Sequence, residues 1–211
     1  MKKNLLLTIS IFALLTFGIL GFSKPSTEFS HFVTVEKVSD TPETKEVIQA
    51  VERSYDIEAE AGYTFDLTKF SDVFINDPRF PVSAGTLETV RELTNNSSLE
   101  SAGYLDYKLA YYSWIIHATK HAEKIKEKAK KEDRALTEEE RKSLVDSKGR
   151  MAPARSESPT RSLPLTFFSV EINGDIATVV LDDGPRTIKL TLVLVDKKWY
   201  VAAYKGLVMH P

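Results

Sequence analysis

Cysteine is absent from this chain of 211 residues, and that removes several chemistries at once. Disulfides, zinc-thiolate centres, thiol nucleophiles and a lipid-modified cysteine at the membrane are all excluded. Excess charge is missing too. The formal net charge is -2 and basic residues are scattered among acidic ones, so nothing marks a surface for nucleic acid. Gly-rich phosphate loops, nucleophile elbows, dinucleotide fingerprints and a His-Glu-x-x-His motif do not occur. No cofactor and no metal is therefore expected, and no catalytic residue is assigned by motif. Long apolar runs are confined to one place, the N-terminus.

There, Lys2 and Lys3 precede an uncharged, mostly apolar stretch from Leu5 to Phe22, and a polar exit with Pro25 follows. Residues 1–23 form an export or anchoring segment. Gly21-Phe22-Ser23 is a small-x-small site for cleavage before Lys24, which favours a signal peptide. The apolar run, at about 18 residues, is also just long enough to span hydrocarbon, which favours an uncleaved anchor holding the protein on the membrane. Lys2 and Lys3 keep the N-terminus cytoplasmic in both cases, so the rest of the chain is expected outside, membrane-anchored or secreted. Residues 24–42, polar and rich in Ser, Thr and Pro, read as a linker.

The remainder is long enough for one core, and 43–207 reads as one α+β domain. Thr41 as cap, Pro42 at the first position and acids in the first turn start a helix that Gly62 is expected to end. Its apolar side is sampled by Val47, Ile48, Val51 and Tyr55, with Ile57 or Glu58 next. Asp66 then caps a short helix with Leu67, Phe70, Val73 and Phe74 on one face, Asn76-Asp77-Pro78 breaks it, and 79–82 suggests a short strand. After a loop at 95–98, the longest helical pattern begins. Tyr104, Tyr107, Tyr111, Trp114, Ala118 and His121 recur at alternating three- and four-residue steps, which puts them on one stripe. Leu105, Leu109, Tyr112 and Ile116 form a second apolar line, so the first half of this helix is expected to be clamped on two sides. From Lys120 on it is nearly all Lys and Glu, as a solvated face would be. A capping box from Thr137 to Glu140 starts another short helix, and 123–161 as a whole reads as a charged helical and flexible insertion.

Three turn signals, Asn173-Gly174-Asp175, Asp183-Gly184-Pro185 and Asp196-Lys197-Lys198, divide the last third into four β-rich runs, an antiparallel meander. Ile188, Leu190, Leu192 and Leu194 line one face of the third run; Lys189, Thr191, Val193 and Val195 line the other.

The stretch FDLTKFSDVFINDPRF and the paired runs TIKLTLVLVDKKWYVAAYKG resemble parts of the nuclear transport factor 2-like superfamily, which includes SnoaL-like proteins and ketosteroid isomerases. The resemblance implies a cone-shaped α+β fold over roughly 43–207, N-terminal helices packed on a curved antiparallel sheet, with Trp199 closing the core. The charged insertion is longer than that fold needs. Enzymes of the fold use an Asp or Asp-Arg pair, or Tyr with Asp, in the mouth of the cone, and no motif places those residues here. The fold by itself transmits no reaction.

His117 and His121, one helical turn apart, could face a metal, but Glu123 lies about 200° round the helix from His121 and no third ligand accompanies them. They read as edge residues of the aromatic stripe. Tyr104, Tyr107, Tyr111, Trp114 and His117 are the candidate lining of a pocket for a small apolar ligand, against the plainer reading of a packed core. Asp66 and Asp106 are conceivable general bases, but each is also explained by a helix start. Asn95 and Asn96 satisfy glycosylation sequons, which matter only in a glycosylating export pathway. Three functions follow as expectations: an exported or membrane-tethered, non-catalytic binding or assembly module, with a homodimer or an envelope protein as partner; a small-molecule-binding protein or SnoaL-like isomerase or hydrolase with an aromatic-lined pocket; or a purely structural envelope protein with a filled cone and no ligand.

Overall fold

The computed structural model describes residues 38–209, apart from 147, 152, 162 and 163. The export segment and most of the linker lie outside the described residues. Among those described, no helix is long and apolar enough to cross a membrane.

Helix α1 spans Pro42–Thr64. Thr41 caps it, its hydroxyl accepting from the Thr44 amide at 3.2 Å, and Pro42 occupies a position where no amide is needed. The helix does not stop at Gly62. It runs two residues further, to a left-handed Phe65 whose amide bonds the Ala61 carbonyl at 2.9 Å. Gly62 instead lies close against Ser156: a Cβ there would fall 2.8 Å from the Ser156 hydroxyl oxygen, a contact that rotation of the serine side chain relieves.

Asp66 makes a local turn, accepting from the Thr68 amide at 2.9 Å, and only one tight turn of helix, Phe70–Asp72, follows. The chain then pairs at Phe74, in parallel, with Val201. This single bridge takes the place of the strand expected at 79–82. Pro78 and Pro81 bring no amide to a ladder, and Arg79 is folded back onto Asp77 in a turn.

Helix α2, Ala84–Thr94, is an element the sequence did not announce. Ser83 caps it, and its buried Val90 meets Ala102 and Ala110 in a small second core. Helix α3, Tyr104–Lys131, is therefore clamped on two sides as its two apolar lines require: Leu105, Leu109 and Tyr112 face the main core, while Ala110 and Tyr107 meet α2. Its charged half is not solvated all round, because Ala122 and Ala129 are buried. Glu127 and Lys131 pair on its open face at 2.8 Å. A short helix α4, Glu138–Ser143, opens with the expected Thr137–Glu140 box.

Strands β1 (Thr166–Asn173), β2 (Ile176–Asp182), β3 (Arg186–Val195) and β4 (Lys198–Met209) form one antiparallel meander in that spatial order. Gly174, and Asp196 with Lys197, take the positive φ values that tight hairpins require. The inner face stacks Val179 on Leu190 and Leu181 on Ile188, then Leu192 beside Val201 and Leu194 beside Trp199. Against this face α1 brings Val47 and Val51, and Phe70 and Phe74 fill the space up to α3. Trp199 belongs to this core. The molecule is thus α+β, helices first in sequence and packed against a four-stranded sheet.

One segment of the charged insertion departs from its expected freedom. Residues 153–161 return along α1: the Ser156 amide donates to the Gly62 carbonyl at 3.3 Å, the Arg155 guanidinium to the Tyr63 carbonyl at 2.7 Å, and the Thr119 hydroxyl to the Pro153 carbonyl at 3.0 Å. These polar anchors hold a strap that contains no apolar periodicity.

Candidate functional site

Where α1 and α3 diverge over the sheet, they leave a hollow of about 320 Å³ walled by tyrosines. Tyr104, Tyr107 and Tyr111 follow one another along α3, with Tyr107 stacked on Tyr111 at 5.8 Å between ring centroids. Tyr55 and Tyr112 close the side towards α1, and Tyr204 of β4 the opposite side. Burial pushes the Tyr55, Tyr104, Tyr107 and Tyr112 phenols up, the negative charge of Glu58 adding to the effect, so they stay protonated hydrogen-bond donors at neutral pH. The hydroxyls of Tyr104, Tyr107, Tyr111 and Tyr204 have no hydrogen-bond partner among the described residues.

One carboxylate, Glu58, stands in this wall and is engaged, and a second, Asp183, lies outside the lining and bonds two residues of it, Tyr55 and Arg186. Glu58 accepts from Lys108 Nζ at 2.5 Å and from the Tyr112 hydroxyl at 2.7 Å, with the lysine and glutamate side chains only 13% and 18% exposed. The Lys108 ammonium also sits over three rings, 5.2 Å from Phe74, 5.3 Å from Tyr104 and 5.9 Å from Tyr112, so its charge is held by a carboxylate and an aromatic box together. At the β2–β3 turn, Asp183 Oδ2 accepts from Arg186 Nε at 3.1 Å and from the Tyr55 hydroxyl at 3.3 Å. Arg186 in turn lies 5.2 Å over the Tyr204 ring. The hollow therefore presents aromatic faces and hydroxyl donors. It presents no uncommitted carboxylate to serve as a base.

The candidate residues read from the sequence are divided. Tyr104, Tyr107 and Tyr111 line the tyrosine hollow. Trp114 and His117 line another of about 230 Å³, shared with His121 and the segment after α4, where the Arg150 guanidinium covers the Trp114 ring at 4.9 Å. Among the described residues, no three His, Asp or Glu side chains are grouped to hold a metal. Asp106 completes the start of α3, accepting from the Gly103 amide at 3.0 Å, and Asp66 holds its turn.

Glu58, Lys108, Tyr112, Tyr55, Asp183 and Arg186 were not anticipated as site residues. Only Glu58 carried a signal, a charge on the apolar side of an amphipathic helix, since that position demands a partner. Asp183 looked like an ordinary turn residue. No protein-family model, curated protein or solved structure matches this chain.

Proposed function

We propose that this protein is an extracytoplasmic, non-catalytic small-molecule-binding module of the nuclear transport factor 2-like type, and that the tyrosine hollow holds its ligand. The N-terminal segment would tether it to the membrane or release it by cleavage. Support for the cone architecture comes from the order of elements, helices over one face of a bulged antiparallel sheet with Trp199 in the core. One observation carries the functional reading: three successive α3 tyrosines, their hydroxyls unpartnered among the described residues, line a hollow whose one carboxylate, Glu58, is already paired. Such a site selects a small, mainly aromatic molecule with an oxygen acceptor, and has no group placed to transform it.

The test is calorimetric titration of the full chain with 1-naphthol, a small aromatic alcohol. Saturable binding is expected, weakened about tenfold by Tyr107→Ala, a loss within the range for an aromatic contact plus a hydrogen bond. Trp114→Ala, in the other hollow, should leave it unchanged. Absence of binding, or equal affinity in wild type and Tyr107→Ala, overturns the reading.

A further inference from the structure

Of the two cations in the lining of the tyrosine hollow, Lys108 is held by Glu58 within it and Arg186 by a carboxylate outside it, Asp183. That bond uses one corner of the guanidinium. Arg186 Nε donates to Asp183 Oδ2 at 3.1 Å, and the outer nitrogens, Nη1 and Nη2, have no hydrogen-bond partner among the described residues. Neither is sealed off: the side chain is 42% exposed. The guanidinium lies 5.2 Å over the Tyr204 ring, and its charge is close enough to α3 to oppose the rise that burial imposes on the Tyr104 phenol.

The uncommitted polar groups of the hollow can therefore all donate. They are the two outer nitrogens of Arg186 and the hydroxyls of Tyr104, Tyr107, Tyr111 and Tyr204. The one lining carboxylate, Glu58, is taken by Lys108 and Tyr112. A ligand cation would meet Lys108 and Arg186 and find no free carboxylate. A neutral oxygen would engage only part of the donor set. A carboxylate engages more of it, since its two oxygens match the Nη1 and Nη2 fork and their remaining lone pairs accept from phenol hydroxyls.

We infer that the ligand of the tyrosine hollow is an aromatic carboxylate, and that Arg186 is the residue selecting the carboxylate over a neutral oxygen. This rests on the function proposed for that hollow and deepens it, by assigning the charge of the ligand and the residue that reads it. The volume of about 320 Å³ stands at the lower end of the range of about 300–1,000 Å³ usual for small-molecule sites, as a ligand of one or two rings requires.

The experiment is calorimetric titration of the full chain at neutral pH with 1-naphthoate and with 1-naphthol, which share a ring system and differ in bearing a carboxylate or a neutral hydroxyl. The naphthoate is expected to bind more tightly by about tenfold or more, because hydrogen bonds to a charged group are the stronger ones. In Arg186→Met this preference should disappear through weakening of the naphthoate, while retained binding of 1-naphthol reports that the hollow is still formed. If Arg186→Met does not fold, the double variant Asp183→Asn, Arg186→Met, which leaves no unpaired charge, decides in its place. Binding of 1-naphthol with equal or weaker binding of the naphthoate to wild type overturns the carboxylate assignment and leaves the proposed function standing. A naphthoate preference that survives the loss of Arg186, or naphthoate binding that Tyr107→Ala leaves unchanged, overturns it as well. Binding of neither compound overturns the proposed function itself, and this inference with it.

Discussion

Gly103 starts the longest helix without a side chain to cap it, and the reason is Asn76. The Asn76 side chain does the capping from a distance, its oxygen accepting from the Asp106 amide at 3.1 Å and its nitrogen donating to the Asp106 carboxylate at 2.9 Å. A Cβ on residue 103 would fall 2.2 Å from that oxygen, so the cap requires glycine. The same economy of contact governs Lys108. Its ammonium has one carboxylate partner and three rings, so Lys108→Met leaves Glu58 with the Tyr112 hydroxyl alone. Breaking a largely buried pair from one side is expected to cost about 3 kcal/mol in denaturant unfolding. The double variant Glu58→Gln, Lys108→Met should be more stable than Lys108→Met by itself, because no charge is then left unpaired. A double variant as unstable as the sum of its parts would show that the pair contributes nothing jointly.

Among the elements, α1, α3 and the meander were legible because each states its period plainly: a proline-started amphipathic run, an aromatic stripe, alternating strands between turn signals. Helix α2 was not, since Gly85 and three threonines dilute a short run whose only fully buried residue is Val90. The stripe on α3 was legible as a line and misleading as a site. From Tyr104 to His117 it climbs about 20 Å at the helical rise, further than one hollow extends, and so Trp114 and His117 arrive in different surroundings from Tyr104. Helix α4 is too short to persist on propensity and relies on Glu140. A bidentate bond from Arg134, at 2.7 and 2.8 Å, and the Thr137 amide draw the Glu140 carboxyl down to about 2. A carboxyl held lower in the folded state stabilises it above the ordinary value near 4.5, and that contribution vanishes as pH falls towards 2. Protection of the α4 amides, taken relative to their intrinsic exchange rates, should accordingly fall between pH 4.5 and 2 in wild type, and Arg134→Gln should show the fall at higher pH. An exchange profile that Arg134→Gln leaves in place would remove Glu140 from this role.

For the molecule as a whole, the polar half of the site was illegible because it is assembled from distant parts of the chain: Tyr55 bonds Asp183 and Glu58 bonds Lys108 across long sequence separations that no local pattern records. Those contacts also set how the protein responds to alkali. Tyr55, Tyr104 and Tyr112 are held well above the ordinary phenol value of about 10, chiefly by burial. A raised phenol leaves folding stability intact below about pH 10 and erodes it above, as the unfolded chain ionises first. Phenolate absorbance from these three should therefore be missing in the folded protein at pH 10 and should appear together with the loss of circular dichroism as the pH rises. Phenolate formation completed before unfolding would contradict their burial.

The place of the core residues along the chain has a consequence for biosynthesis. The helices emerge from the ribosome first, yet the surface they bury belongs to β2, β3 and β4, with Trp199 and Val201 among the last residues made. Until those arrive, the small core between α2 and α3 can form, but the main core that α1 and α3 share with the sheet cannot close. Completion of the last strand is therefore the step on which the main core depends.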